Sequence, residues 1–386
     1  VPLARHLDFW IGAALFAAAL ALYLRTMPPT VLDGDSGEYQ YMAYILGVPH
    51  STGYPLYILL AKLFTFLPIG DVAYRVNLFS VVCAALTVPL TFTVALRLIR
   101  HRVPAILATA ILAVTPSMWG AAVDAETYAL HLLLGVLTIF FALRWYQDNR
   151  TRDFYWLAFV YGLGLTNHRV IVFIAPALAL VVWLNRARLN RAMVARGIVL
   201  MLLPLLLYAY IPLRASQLIA QQDPTNWELY KREDAILKGT ISAYYRHTPD
   251  GVFNLITAFD NRSKLGFGSP LDEANRIDLA VSLLLQQFGI AGIGLAVAGV
   301  WESFRRERKL FSTVLAVAAG VGFIAIYLRG ESTVYYFSLA YFALALWIGF
   351  GIDALMQLAA RVRSATTSPL IAPFSSPRVV VLILLL

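Results

Sequence analysis

Three carboxylates, Asp33, Asp35 and Glu38, stand within six residues in the stretch VLDGDSGEYQYMAYILGVPHSTGYPLYILL, Val31 to Leu60, and His50, Ser51 and Thr52 follow them. Carboxylates so placed can act as general bases toward a hydroxyl. A second pair, Asp124 and Glu126, precedes another apolar run, and His168 with Arg169 interrupts a third. Arginine and histidine can hold a departing phosphate, so acids and cations together suit glycosyl transfer from a lipid phosphate. Capping is the competing structural explanation. Asp35 and Glu38 have the D-x-x-E spacing of a capping box, with Asp35 capping, Glu38 reaching back and Gly47 as the stop after the helix. That leaves Asp33 and the polar run at His50 without a role. Asp and Glu with water would also suit Mg²⁺ or Mn²⁺, although the spacing demands no metal.

Composition says what scaffold must position these groups. The 386 residues are 60% hydrophobic and only 14% charged, far from the roughly 25% charged residues of soluble domains. The fold class expected is all-α, a polytopic membrane protein. The net charge of +9 is spread in short basic clusters between apolar runs, so topology explains it and no nucleic-acid partner is expected. The single Cys83 lies inside an apolar run and builds no disulfide framework. The sequence opens on Val1 and ends in an apolar stretch at Leu386, which reads as truncation at the C-terminus.

Charge bookkeeping orders the spans. Phe9 to Leu24 crosses first, and residues 25–73 form an outer loop in which Pro55 opens an apolar run to Leu67 that is too short to cross and reads as interfacial. Tyr74 to Leu96 exits at Arg97, Arg100 and Arg102, the cytoplasmic side by the positive-inside rule. Pro104 to Trp119 goes out, and Thr127 to Leu143 returns to Arg144, Arg150 and Arg152. Phe154 to Leu184 has basic clusters at both ends yet is too short for two full spans, so it should be a hairpin of two short helices with Thr166, Asn167, His168 and Arg169 at its tip. Such a tip must face protein or a water-filled cavity. Gly197 to Leu213 crosses out to a large outer loop, residues 214–278, with an expected helix from Trp227 to Tyr245 and a turn at Pro249, Asp250 and Gly251. Leu279 to Val300, Phe311 to Leu328 and Tyr335 to Leu358 complete the bundle before a Ser/Thr/Pro linker, Ser364 to Pro377, and a last span. No internal repeat is visible, and residues 1–386 read as one membrane domain of about ten or more transmembrane helices.

This topology gathers the ionisable residues on one side. Asp33, Asp35, Glu38, His50, Asp124, Glu126, His131, His168, Arg169, Arg214 and Arg329 all fall at or near the outer face. Ionisable groups at membrane depth are costly and usually mark a substrate path. Snorkelling to water accounts for Arg25, Arg75 and Arg214 on the bland reading, and a wet helix face for Lys62. The candidate catalytic acids are Asp35, Glu38, Asp33 and Glu126. Arg169, His168, Arg329 and Arg214 are candidates for the donor phosphate, and His50, Tyr54, Lys62, Tyr128, His131 and Asn167 for the substrate.

The order of a first span, an outer acidic motif, a short helix opened by H-x-x-x-x-P with a lysine downstream, and a second outer acid resembles the GT-C superfamily of integral membrane glycosyltransferases. More closely, LDGDSGEYQYMAYILGVPHSTGYPLYILLAKLFTFLPIGDVAYRVNLFS, with AETYALH and GLTNHR, resembles bacterial relatives of the vertebrate transmembrane O-mannosyltransferase that acts on plexin-type receptors. The likeness covers the chain up to Arg214 and weakens beyond it. It implies a GT-C-like bundle with interfacial helices on the outer face. The family's loop aspartate falls on Asp33 or Asp35, Asp35 first, with Glu38 beside it, and its second acid on Glu126. The segment PHSTGYPLYILLAK has the character of the H-P-P-L-x-K stretch of O-mannosyltransferases, with Ser51 and Thr52 in place of the prolines. The implied reaction is inverting transfer of a sugar, mannose in the family, from a polyprenyl-phosphate donor to a protein or cell-envelope glycan at the periplasmic or extracellular face. The alternative is a transporter or flippase for a lipid-linked or anionic solute, in which the cations bind phosphate and nothing is cleaved. Paired broken helices would mark that alternative, and only one broken hairpin is visible.

Overall fold

An apolar run crosses a bilayer as a helix because a helix satisfies its own backbone N–H and C=O groups. The computed structural model describes residues 2–220, 240–242, 245–259, 270–327 and 333–365. Within them the long helices are α1 (Pro2–Thr26), α4 (Val72–Ile99), α7 (Thr127–Asp148), α13 (Pro270–Arg306), α14 (Arg308–Tyr327) and α16 (Ser338–Ala365). Another span is compound: α10 (Arg191–Leu202), a 3₁₀ stretch (Leu203–Ala209) and α11 (Tyr210–Ala220). Shorter helices complete the set: α2 (Gly34–Ile45), α3 (Pro55–Phe64), α5 (Arg102–Ala113), α6 (Pro116–Val123), α8 (Thr151–Asn167), α9 (Ala175–Leu184), α12 (Pro249–Thr257) and α15 (Thr333–Tyr336). Among the described residues, six segments are long and apolar enough to cross, namely α1, α4, α7, the compound run Arg191–Ala220, α13 and α16, or seven if α5 and α6 count as one span bent by 60°; α14 does not qualify. The sequence pattern predicts about ten or more. The difference lies in runs that break: Pro116 starts a new helix after Thr115, and the hairpin arms stay short. The last expected span lies outside the described residues.

The hairpin forms as its length requires. Backbone at His168 is extended, and a 3₁₀ stretch, Arg169–Ile174, joins α8 to α9. Both feet stand beside the end of α7: the Phe154 ring lies 4.7 Å from that of Trp145, and Arg188 Nη1 donates to the Tyr146 carbonyl at 3.2 Å. Ion pairs close the same basic end, with Arg97 on Asp148 at 3.2 Å and Arg144 on buried Asp153 at 3.1 Å. On the far side of the bundle α13 and α16 touch backbone to backbone. A Cβ on Gly299 would overlap the Trp347 carbonyl, and one on Gly351 the Leu295 carbonyl, the close approach that small residues permit between membrane helices.

Two interfacial helices lie at the other, acidic end. Gln40 of α2 donates to Asn77 of α4 at 2.7 Å, and Asn77 donates to the Pro28 carbonyl at 3.1 Å, so buried amides seat α2 on α4. The C-terminus of α2 differs from expectation. Its left-handed residue is Leu46 (φ 55°), not Gly47, whose N–H bonds Met42 O at 2.9 Å. Three donors satisfy the carbonyls exposed there: Arg214 on Leu46 (2.8 Å) and Ile45 (2.9 Å), Tyr210 on Gly47 (2.9 Å), and Lys62 on Tyr44. Cations at a helix C-terminus also oppose its dipole. Arg75 likewise holds the carbonyls of Thr65, Ile69 and Gly70 instead of snorkelling. Residues 240–242 return over this region, where Ile241 bridges Val48. The expected turn at Pro249 is instead the start of α12, with Pro249 in its first turn and Thr248 Oγ1 accepting from Gly251 N at 3.1 Å. The helix expected from Trp227 falls largely outside the described residues, and Ile241 within it is bridged, not helical.

Candidate active site

On α2, Asp35, Glu38 and Tyr39 stand at i, i+3 and i+4 and therefore share a face. The capping box does not form. Asp33 occupies the N-cap position without a side-chain cap bond, Asp35 lies in the first helical turn, and Glu38 turns outward to His50. Glu38 Oε1 accepts from His50 N at 3.0 Å and Oε2 from His50 Nδ1 at 2.5 Å. A carboxylate that finds both a backbone and a ring donor gains more than one reaching for a single cap amide. His50 Nε2 then faces Tyr39 Oη at 3.3 Å, Tyr54 Oη at 3.5 Å and Asp35 Oδ2 at 3.8 Å. Asp35 keeps the more open carboxylate, 55% exposed against 25% for Glu38.

Glu126, just before α7, comes to this group through Ser36, whose hydroxyl donates to Oε1 at 3.3 Å. Burial first, and then the charge of Asp35, push its carboxyl up to about 8, against the pull of His50 and Ser36. For His50, burial disfavours the charged ring, but the Glu38 hydrogen bond and the charges of Glu38, Asp35 and Glu126 outweigh it and raise the pKa. Two carboxyls near enough for one charge to act on the other thus differ in surroundings, one open and one half-buried.

The hairpin tip closes the other side. Asn167 Nδ2 donates to the Thr127 carbonyl at 3.1 Å, tying the end of α8 to the start of α7. The buried His168 ring lies 5.9 Å from Tyr54 in a stacked arrangement, 5.3 Å from Tyr128, 5.3 Å from His131 and 5.5 Å from Tyr336. Tyr54 reaches it from a left-handed backbone (φ 39°) at the N-cap of α3, the kind of strained residue that concentrates at functional sites. His131 is buried with neither ring nitrogen partnered, and Asn167 Oδ1 is likewise unpartnered. Arg169 Nη1 donates to Thr257 O at 2.8 Å. Burial raises the Tyr54 and Tyr336 hydroxyls, and the Arg169 charge opposes it at both, which puts the guanidinium within reach of this ring cluster.

Most predicted residues therefore converge: Asp35, Glu38, His50, Glu126, Tyr54, Tyr128, His131, Asn167, His168 and Arg169. Asp33 stands at the exposed lip. Lys62 and Arg214 do not join them, because the α2 carbonyls take their donors, and Arg329 lies outside the described residues. Tyr39, Ser36, Tyr335 and Tyr336 are additions. The helical spacing of Tyr39 from Asp35 could have shown it. Nothing local marks Tyr335 and Tyr336, although Tyr335 stacks on Tyr128 at 4.8 Å.

Asp35, Glu38 and His50 also bring one ligand atom each within 4.8 Å of one another. Two carboxylates and an imidazole would suit Mn²⁺ better than Mg²⁺. His50 Nδ1 is engaged by Glu38 Oε2, which leaves Nε2 of the ring facing Asp35.

Comparison with known proteins follows the same lines. Residues 35–191 match the family model described as the N-terminal domain of the protein O-mannosyl-transferase TMEM260. The Mus musculus protein O-mannosyl-transferase TMEM260 is 33% identical over 212 residues, which is 52% of this chain and 30% of that protein. A Dictyostelium discoideum protein of the same description is 21% identical over 307 residues, 74% of this chain and 35% of its own length. The chain thus spans about a third of these relatives. Among solved structures, apo ArnT from Cupriavidus metallidurans superposes with a TM-score of 0.60 at 12% identity, covering 94% of this chain and 67% of ArnT. The apo Archaeoglobus fulgidus oligosaccharyltransferase gives 0.54 at 12% identity, covering 97% of this chain and 54% of that one. The chain shares the fold of these two proteins. These likenesses do not favour the transporter alternative.

Proposed function

We propose, for a chain with the GT-C fold whose residues 35–191 match the TMEM260 O-mannosyl-transferase N-terminal domain, that it transfers a sugar from a polyprenyl-phosphate donor to a hydroxyl on a protein or cell-envelope glycan. The observation that carries this is the open carboxylate of Asp35 beside the Glu38–His50 pair, with Arg169 at the facing hairpin tip. The transfer takes place at the outer face of the cell membrane, because the acids stand at the end of α7 opposite the basic clusters.

Asp35 accepts the proton of the acceptor hydroxyl as its oxygen attacks the anomeric carbon. The bond from that carbon to the phosphate oxygen breaks, its electron pair leaves with the phosphate, and the configuration inverts. Arg169 stabilises the growing negative charge, since a guanidinium stays charged and offers paired donors. Glu38 holds His50, and His50 Nε2 stands 3.8 Å from Asp35 Oδ2, where it flanks the base. Glu126, kept largely protonated by burial, can donate a hydrogen bond where an ionised acid would repel the phosphate. A divalent ion, if one is used, would sit on Asp35, Glu38 and His50 and add charge stabilisation, with Mn²⁺ preferred.

Purified protein supplied with polyprenyl-phosphate mannose and acceptor peptides or glycans tests this. Mannose should appear on the acceptor with inverted anomeric configuration. A donor that stays uncleaved with every acceptor, while the protein binds it, would contradict the assignment. Transfer that survives chelation would remove the metal alone.

A further inference from the structure

The end of the bundle opposite the acids holds a cavity lined by cations. The 22 residues of α7 carry the chain about 33 Å from Glu126 to Asp148, so nothing bound there touches the candidate active site. At the foot of α7 a cavity of about 540 Å³ is lined by Arg97, Arg100, Arg188 and Lys309, with Glu307 as the acid among them. Some of this charge is engaged: Arg97 pairs with Asp148 at 3.2 Å and Arg100 with Glu307 at 4.0 Å. Arg188 spends one nitrogen, Nη1, on Tyr146 O and Asn185 Oδ1. A guanidinium has five N–H donors, so each keeps some for a ligand.

Beneath the cations the wall turns apolar. An apolar cleft of about 410 Å³ opens beside it, between α4, α13, α14 and α16, with Leu98, Leu310, Phe311, Val314 and Phe350 on its sides. The cleft shares Arg100 and Glu307 with the cavity, so charged and apolar parts are continuous. We infer that this is a binding site for an anionic membrane lipid, its phosphate among Arg97, Arg100, Arg188 and Lys309 and an acyl chain in the cleft. A soluble phosphate would use the cations and have no use for the apolar cleft, whereas a zwitterionic lipid would fill the cleft and meet a cationic wall. The basic end is the cytoplasmic one by the positive-inside rule, where anionic lipids supply such headgroups. The site is independent of the transferase assignment and stands or falls without it.

Delipidated full-length protein in detergent, titrated with dioctanoyl phosphatidylglycerol and followed by native mass spectrometry, tests the inference. Saturable binding should be about tenfold tighter than that of dioctanoyl phosphatidylcholine. Inorganic phosphate at the same concentration should not displace the lipid. Arg100→Gln and Lys309→Gln should each weaken the phosphatidylglycerol affinity about fivefold. Val314→Trp, which blocks the cleft and leaves the cations intact, should weaken it as well. Equal affinity for the two lipids, displacement by inorganic phosphate, or parental affinity in Arg100→Gln and Lys309→Gln would each overturn the site.

Discussion

Asp35 and Glu126 sit in different surroundings although Ser36 links their neighbourhoods, and that difference sets their behaviour with pH. The Glu126 carboxyl is raised by burial from its ordinary 4.5 to about 8. Between those values the folded chain holds a proton that the unfolded chain has released, so this residue lowers stability as pH rises through the window. Glu126→Gln removes the linkage and keeps the shape. Its melting temperature should vary less than the parent's between about pH 5 and about pH 8 and exceed it at the upper end, whereas an unchanged profile would place an ionised carboxylate there. At the hairpin tip, Arg169→Lys keeps the charge and loses the planar fork, and should weaken binding of the lipid-linked donor about tenfold in a direct binding assay. Unchanged donor affinity would remove Arg169 from the phosphate. Much at this scale is legible in sequence, since acids and a histidine between apolar runs stand out. The capping box is misleading there because the partner of Glu38 is His50, twelve positions along and reached only when the α2–α3 link folds.

Among the elements, α2 is the piece whose position matters most, and cations anchor its C-terminus. Arg214 donates twice to carbonyls that lack helical partners. Arg214→Ala should destabilise the fold by about 1–3 kcal/mol, lower kcat by letting Asp35 drift, and leave donor affinity nearly intact. A weakened donor affinity at parental stability would return Arg214 to the phosphate site. The hairpin is predictable from arithmetic, because too few residues separate two basic clusters for two full spans. The roles of Lys62 and Arg214 are not, because a cation that closes a helix end and one that awaits a phosphate look alike until the carbonyls are seen. Tyr335 and Tyr336 come from the far end of the chain, and no local pattern announces that α15 will lay them on Tyr128 and His168.

At the scale of the molecule, alternation of arginine clusters with acidic turns yields a bundle with one basic and one acidic end, and the structure keeps both. Cysteines placed at Thr30 and Asn149 report the two ends: Thr30 should label from outside, and Asn149 only after permeabilisation. Outside labelling of Asn149 would invert the orientation. The fold places an open carboxylate, a paired histidine and a half-buried second acid under a hairpin tip at the acidic end, and the central claim is that the first of these is the base. Asp35→Asn preserves size and removes proton acceptance, so single-turnover sugar transfer from a bound polyprenyl-phosphate donor measures it most directly. The account predicts parental donor binding with the transfer rate reduced by about 10²- to 10⁴-fold. Transfer at the parental rate in Asp35→Asn, with Glu38→Gln or Glu126→Gln inactive, would contradict it and move the base to the other acid.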